Sequence, residues 1–216
     1  MRLKIVIFLV FSLFIIHAVK SQDTSKVKKT VPPAKLARNN WSLNLMYTDK
    51  GFGLGSNLYK NVSSTIDLTA GIMISGVKDP NEIEEYDIWG NSFVPDKINR
   101  IYMITVNAGF QKYIFSDELD ESFRPLISFG ISPSLILTDP YDKDYFKAFG
   151  YMNAGFAFGG YAGIGMEYKE SNSVSLSINI RYSYIPVLVN EIKSLINKPI
   201  NDMGGIQLTF GLNFLR

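Results

Sequence analysis

From Trp41 to Phe214, apolar and polar side chains alternate one for one in eight separate runs. Successive side chains of a β-strand point to opposite faces, so each run predicts a strand with one apolar and one polar face. The last run is the plainest: Ile206, Leu208, Phe210, Leu212 and Phe214 alternate with Gln207, Thr209, Gly211 and Asn213. The seventh, Val174 to Tyr184, is as regular, with Ser175, Ser177, Asn179, Arg181 and Ser183 on its polar face. Trp41 to Thr48 and Phe52 to Lys60 form a hairpin around Asp49-Lys50-Gly51. The third strand is expected from Ile66 to Ser75, the fourth from Tyr102 to Gln111, the fifth from Ile127 to Leu135 and the sixth from Tyr161 to Tyr168. Pro125 and Pro133 fall on apolar positions of the fifth run. Because proline cannot donate to a ladder, they predict a bulge or a displaced strand limit.

Three long stretches interrupt the alternation, and short turns separate the other strands. Val77 to Asn99 is polar and acidic, Thr138 to Asn153 is rich in aromatics, and Pro186 to Met203 carries Ile192, Leu195 and Ile196 behind Asn190-Glu191. The last spacing is that of one or two helical turns. An even count of eight short strands predicts an all-β fold, an eight-stranded antiparallel up-and-down barrel over residues 40–216.

Periodicity alone leaves the inside and outside of such a barrel open. A soluble lipocalin-type barrel is apolar within, and a transmembrane β-barrel is apolar without. The polar face here is built of Ser, Gly, Thr and Asn with few charges, which suits a narrow packed interior better than a water-facing surface. The apolar face ends in aromatics, and long connections alternate with short turns, except at the tight Asp49-Lys50 connection. These features favour apolar side chains facing lipid. Trp41, Tyr47, Tyr102, Tyr168, Tyr182, Tyr184, Phe210 and Phe214 are then lipid-face or girdle aromatics.

The N-terminus changes the charge balance. Arg2 and Lys4 precede an unbroken apolar run from Ile5 to Ile16, followed by Val19 and Ser21, the pattern of a secretory signal peptide over residues 1–21. The run is too short to span a membrane as a helix. Residues 22–39 form a basic, Pro-containing segment expected to be flexible. Taking Arg2, Lys4 and Lys20 from the 22 basic residues leaves 19 against 20 acidic, a net charge of −1 that gives no sign of a nucleic-acid partner.

The chain has no cysteine, and its one histidine, His17, lies in the expected signal peptide. Ser-His-Asp and Cys-His catalysis and every His- or Cys-based zinc site therefore lack their essential groups. No catalytic residue, cofactor or metal site is expected. The acidic run from Asp79 to Asp87 lacks the spacing of an EF-hand loop and reads as a solvated loop. Asp67, Glu167 and Arg181 fall on the polar face, with Arg100 near a strand mouth. Charge inside a narrow lumen is expected to pair and plug it. In the second long loop, Tyr141, Tyr145, Phe146, Phe149 and Tyr151 are candidate surface contacts, with packing on the barrel rim the alternative.

The leader, the eight alternating strands and the last strand ending in Phe214 resemble the small outer-membrane β-barrel family of the OmpA/OmpX type, over about Trp41 to Arg216. The Gly-Tyr-Ala-Gly-Ile-Gly stretch at 160–165 is also similar to PorT-like barrels linked to a secretion apparatus. The resemblance implies an outer-membrane location with both termini in the periplasm, lipid as the surrounding partner, and insertion by the barrel-assembly machinery through Phe210, Leu212 and Phe214. It also implies a non-enzymatic role in the envelope, structural or with an envelope protein partner. A small pore or transporter is the second expectation, and a soluble lipid-binding barrel the third.

Overall fold

The computed structural model describes residues 39–115, 119 and 122–215. The expected signal peptide, all but the last residue of the basic segment, and most of the acidic 116–122 turn lie outside the described residues. The strands are β1 (Asn39–Thr48), β2 (Gly51–Asn61), β3 (Ile66–Val77), β4 (Glu85–Tyr86), β5 (Ser92–Phe93), β6 (Asn99–Tyr113), β7 (Phe123–Ile131), β8 (Ser134–Pro140), β9 (Asn153–Ala157), β10 (Gly160–Lys169), β11 (Val174–Tyr184), β12 (Val187–Val189), β13 (Ile192–Leu195), β14 (Lys198–Ile200) and β15 (Gly205–Phe214). A short helix, α1 (Tyr145–Ala148), lies in the second long loop.

Eight antiparallel staves close into a barrel: β1, β2, β3, β6, β7 with β8, β9 with β10, β11 with β12, and β15. Closure is made by β1 on β15, with Trp41 opposite Phe214 and Thr48 opposite Gln207. Asn40, Tyr59, Thr69, Gly109, Gly130, Tyr161, Ser183 and Gly205 are successive partners around the wall. Gly205 lies two positions past the Gln207–Thr48 pair, so one circuit climbs about ten residues, the stagger that tilts the strands of a closed barrel.

Three staves are interrupted side by side, at Ser132-Pro133, Phe158-Gly159 and Ile185-Pro186. Pro133 causes no slip: β6 pairs Ala108 with Ile131 below the break and Thr105 with Ser134 above it, in one register. The amides around it stay satisfied, because Val106 N–H donates to the Pro133 carbonyl and Ser132 N–H to that of Gly159, each at 2.9 Å. Pro125 remains inside β7, where its carbonyl accepts from Ile114 N–H at 2.9 Å and no donor is required of it.

The alternation resolves into an apolar outside and a polar inside. Leu43, Leu45, Leu54, Ile72, Ile74, Ile164, Ile178 and Ile180 are exposed, while Ser42, Asn44, Asn57, Thr69, Ser128, Ser175, Asn179 and Thr209 are buried. This is the reverse of a soluble ligand-binding barrel and sets aside the lipocalin-type expectation. An all-round apolar band is stable only in hydrocarbon, so the barrel is a transmembrane one. The interior also holds larger groups than the serine-rich pattern suggested, namely Met46, Tyr59, Met73, Tyr113 and Tyr161. Glycines make room for them. A Cβ on Gly109 would lie 2.6 Å from the Tyr161 hydroxyl, and one on Gly130 would lie 2.8 Å from its ring.

Two expectations change above the membrane band. The helical turns expected after Asn190 are instead a β-hairpin of β13 and β14, with Asn197 at φ 60° in the turn. Its Ile192, Ser194, Leu195 and Ile200 are buried, so tertiary burial of these side chains overrode a weak local helical spacing. The second loop is shorter than expected, because β8 carries Thr138 and Asp139 on to Pro140.

The outward face generates a direct test. Ile178→Arg places a guanidinium against hydrocarbon and is expected to lower stability in phospholipid vesicles by about 2–4 kcal/mol, read as a shift in the urea unfolding midpoint. The same substitution would be near neutral if that face met water.

Candidate functional site

The strongest concentration of interacting polar groups lies inside the barrel. Near the end carrying the short turns, the Tyr113 hydroxyl donates to Glu167 Oε2 at 2.6 Å, and the Ser175 hydroxyl donates to the other carboxylate oxygen. Gln111 Nε2 bridges Asp67 Oδ2 at 3.0 Å and the Tyr113 hydroxyl at 2.8 Å, while the Asn61 amide donates to Asp67. Asp67, 1% exposed, and Glu167 are thus held in one hydrogen-bonded set rather than left as isolated charges.

The expected charges do not all meet. Arg181 is buried but makes no ion pair among the described residues, and its guanidinium lies 4.9 Å from the Tyr161 ring centroid. The cation near Glu167 is Arg124, with Nη1 3.9 Å from Oε2 and its guanidinium 3.6 Å over the Tyr113 ring. Arg124 immediately precedes Pro125 at the edge of a strand, where the alternation gave no signal for it. A cavity of about 10 Å³ remains among Asn40, Tyr59, Gln111, Glu167 and Asn213, room for one water molecule.

The opposite mouth is closed by apolar packing. Val77, Ile101, Met103, Ile136, Ala157 and Ile185 from the staves cluster with Ile192, Ile200 and Met203 of the third long loop. A latch secures this plug. Lys97 Nζ lies 2.6 Å from Glu82 Oε2, both side chains being nearly buried, and Ser194 of β13 donates its hydroxyl to Glu82 Oε1. Ile98 N–H donates to Ser194 O at 2.7 Å and Asn99 Nδ2 to Lys193 O at 2.8 Å, stitching β13 to the start of β6. Burial pushes the Glu82 carboxyl up, but its hydrogen bonds from Lys97, Ser194 and the Asp79 backbone outweigh that and hold it below the usual carboxylate value. The residues of this latch read only as polar loop positions in the sequence, because 112 residues separate Glu82 from Ser194.

Arg100 sits at the mouth, as its position suggested. It donates to the carbonyls of Pro140, Tyr141 and Lys143, each at 3.1 Å, and lies 3.7 Å from buried Asp139. Its guanidinium is 5.2 Å from the Tyr141 ring centroid and 4.2 Å from that of Tyr145. Tyr141 is therefore half-buried on the rim, while Tyr145, Phe149 and Tyr151 are exposed and Phe146 is 89% exposed. Among the girdle aromatics, Tyr47, Tyr168, Tyr182, Tyr184 and Phe210 are exposed on the outer face. Tyr102 is half-buried, and Trp41 and Phe214 stack at 4.4 Å across the closing seam. The carboxylates of the 79–87 run are dispersed, and no metal-ligating cluster occurs among the described residues.

No protein-family model and no curated protein matches the chain. Solved structures do. Neisserial surface protein A aligns over 82% of this chain and 94% of its own, with a TM-score of 0.53 and 11% identity. A major outer membrane protein from Thermus thermophilus aligns over 82% and 98%, with a TM-score of 0.51 and 11% identity. The fold is that of the small outer-membrane β-barrels. At this identity the likeness concerns the fold alone.

The latch predicts two outcomes. Lys97→Met leaves Glu82 buried without its cation and is expected to cost on the order of 3 kcal/mol locally, read as rapid protease cleavage within 190–201. Adding Glu82→Gln should restore protection. Because the Glu82 pKa is depressed, its contribution is complete above pH 4.5 and is lost as pH falls below that value. The hydrogen-exchange protection factors of β13, each taken against the intrinsic exchange rate at the same pH, should fall on acidification in the native protein and change less in Glu82→Gln.

Proposed function

We propose that the protein is a non-enzymatic component of the outer membrane, a sealed barrel that anchors its long loops at the cell surface for contact with an envelope or external partner. The observation that carries this reading is the double closure of the lumen. A charged hydrogen-bonded set fills one end, and the apolar plug and latch seal the other. Eight strands leave an interior just wide enough for side chains to fill, and here they fill it.

The location follows from the outward apolar band together with the fold. Both termini are assigned to the periplasm, since β1 begins and β15 ends at the short-turn end, while the long loops gather at the other. Insertion by the barrel-assembly machinery, reading the outward face of β15 at Phe210, Leu212 and Phe214, fits this topology. The absence of cysteine and the single histidine at position 17 support a role without nucleophilic catalysis.

Purified protein in planar bilayers is expected to show no stable unitary conductance. A persistent conductance in the native protein would replace this reading with that of a small pore. Release of the plug by Lys97→Met should not open a large channel, because the Asp67–Glu167 set still occludes the far end.

A further inference from the structure

The first long loop ends in a small hairpin that neither the lumen nor the latch uses. β4 and β5 pair through Glu85 with Phe93 and Tyr86 with Ser92. Asp87 fixes the turn, accepting at Oδ1 from the backbone N–H of Trp89 at 2.8 Å and of Asn91 at 2.9 Å, and at Oδ2 from the Asn91 amide at 3.0 Å. Hydrogen bonds from Asn91 and from the turn backbone hold this exposed carboxyl below its ordinary value, so it is ionised throughout the neutral range.

The hairpin displays large apolar side chains rather than hiding them. Ile88 is 92% exposed and Trp89 81%, and Ile83 and Tyr86 are exposed beside them. Exposed Ile and Trp on a turn held by hydrogen bonds carry a large apolar contact area at low ordering cost, as binding hot spots do. Between Lys78 and Lys97 the loop carries only acidic charge. From Asp79 to Asp96 there is no Lys or Arg. Of the carboxylates there, Glu82 is spent on Lys97, and Glu84 has only an exposed 3.7 Å contact with Lys78. Glu85 makes no ion pair among the described residues, so Glu84, Glu85 and Asp87 give the tip a negative field.

That sign selects the occupant. An apolar tip flanked by bases would suit an anionic lipid surface, but carboxylates are repelled by one. Two-residue strands are too short to template an added strand, which leaves side-chain recognition. We propose that the 83–93 hairpin is a docking tip for a polypeptide segment in which Lys or Arg residues flank apolar ones, the apolar side chains covering Ile88 and Trp89 and the cations meeting Glu84 and Glu85. This deepens the reading of the protein as a surface-loop anchor and rests on it.

The chain has two tryptophans, Trp41 and Trp89, so Trp41→Phe leaves the tip residue as sole reporter. The protein would be inserted in phosphatidylcholine nanodiscs, its fold verified by heat-modifiable migration, and titrated with a tryptophan-free alternating Lys-Leu peptide. Expected is a saturable blue shift of Trp89 emission, weakened tenfold or more by Glu84→Gln with Glu85→Gln and abolished by Ile88→Ser. All three positions are at the exposed tip, so folding is not at stake, and Asp87 is left intact. The proposal is overturned by no saturable shift, by an equal shift with a Glu-Leu peptide, or by undiminished binding in the variants. A shift produced without peptide by phosphatidylglycerol vesicles, or by raising the protein concentration, would assign the tip to a membrane or to a second copy and also overturns it. Failure of the sealed-barrel reading shows separately, as loss of heat-modifiable insertion or as conductance.

Discussion

Every part of this molecule depends on the pairing of backbone amides along the seam between β1 and β15. In hydrocarbon an unpaired N–H or C=O costs several kcal/mol, so strands can cross a membrane only when the sheet has no edge. The seam meets that condition in unbroken register from Trp41–Phe214 to Thr48–Gln207. The same constraint explains the row of interruptions at Pro133, Gly159 and Pro186. Their neighbours' amides find carbonyls across the break, so the wall is interrupted without exposing polar backbone to lipid.

Closure with eight staves leaves little interior volume, and the inward residues are a solution to that limit. Large groups such as Tyr161 and Arg181 lie beside inward glycines, whose missing side chains they occupy. Carboxylates buried at such a site need donors, and Asp67 and Glu167 obtain them from Gln111, Tyr113, Ser175 and Asn61. The filled interior is thus a consequence of barrel size and hydrogen-bond satisfaction together. At the loop end, apolar packing reinforced by one nearly buried ion pair takes over the same task.

Beyond the filled barrel lie the loops. They differ in how they hold their exposed rings. Tyr141 and Tyr145 lean on Arg100 at the rim, whereas Trp89 and Ile88 project from a hairpin held by the β4–β5 pairing and the Asp87 turn. A rigid barrel thereby carries both a fixed rim and a projecting tip.

The strands, their number, their order and the face each presents were legible in the sequence, because a period of two is a local property and lipid imposes it along every stave. The β15 alternation from Ile206 to Phe214 specified both its outward face and its pairing with β1. Interior partners were not legible. Arg124 rather than Arg181 approaches Glu167, and Glu82 reaches Ser194 across more than half the chain, because such contacts depend on the stagger of the closed barrel and not on spacing along it. The β13–β14 hairpin reads locally as helical turns for the same reason, its Ile192 and Leu195 answering to burial in the mouth rather than to a local period. The sequence by itself determined a barrel and which face of it meets lipid; only the tertiary structure decided that the barrel is filled and latched, since packing and hydrogen-bond satisfaction are settled between residues that closure brings together.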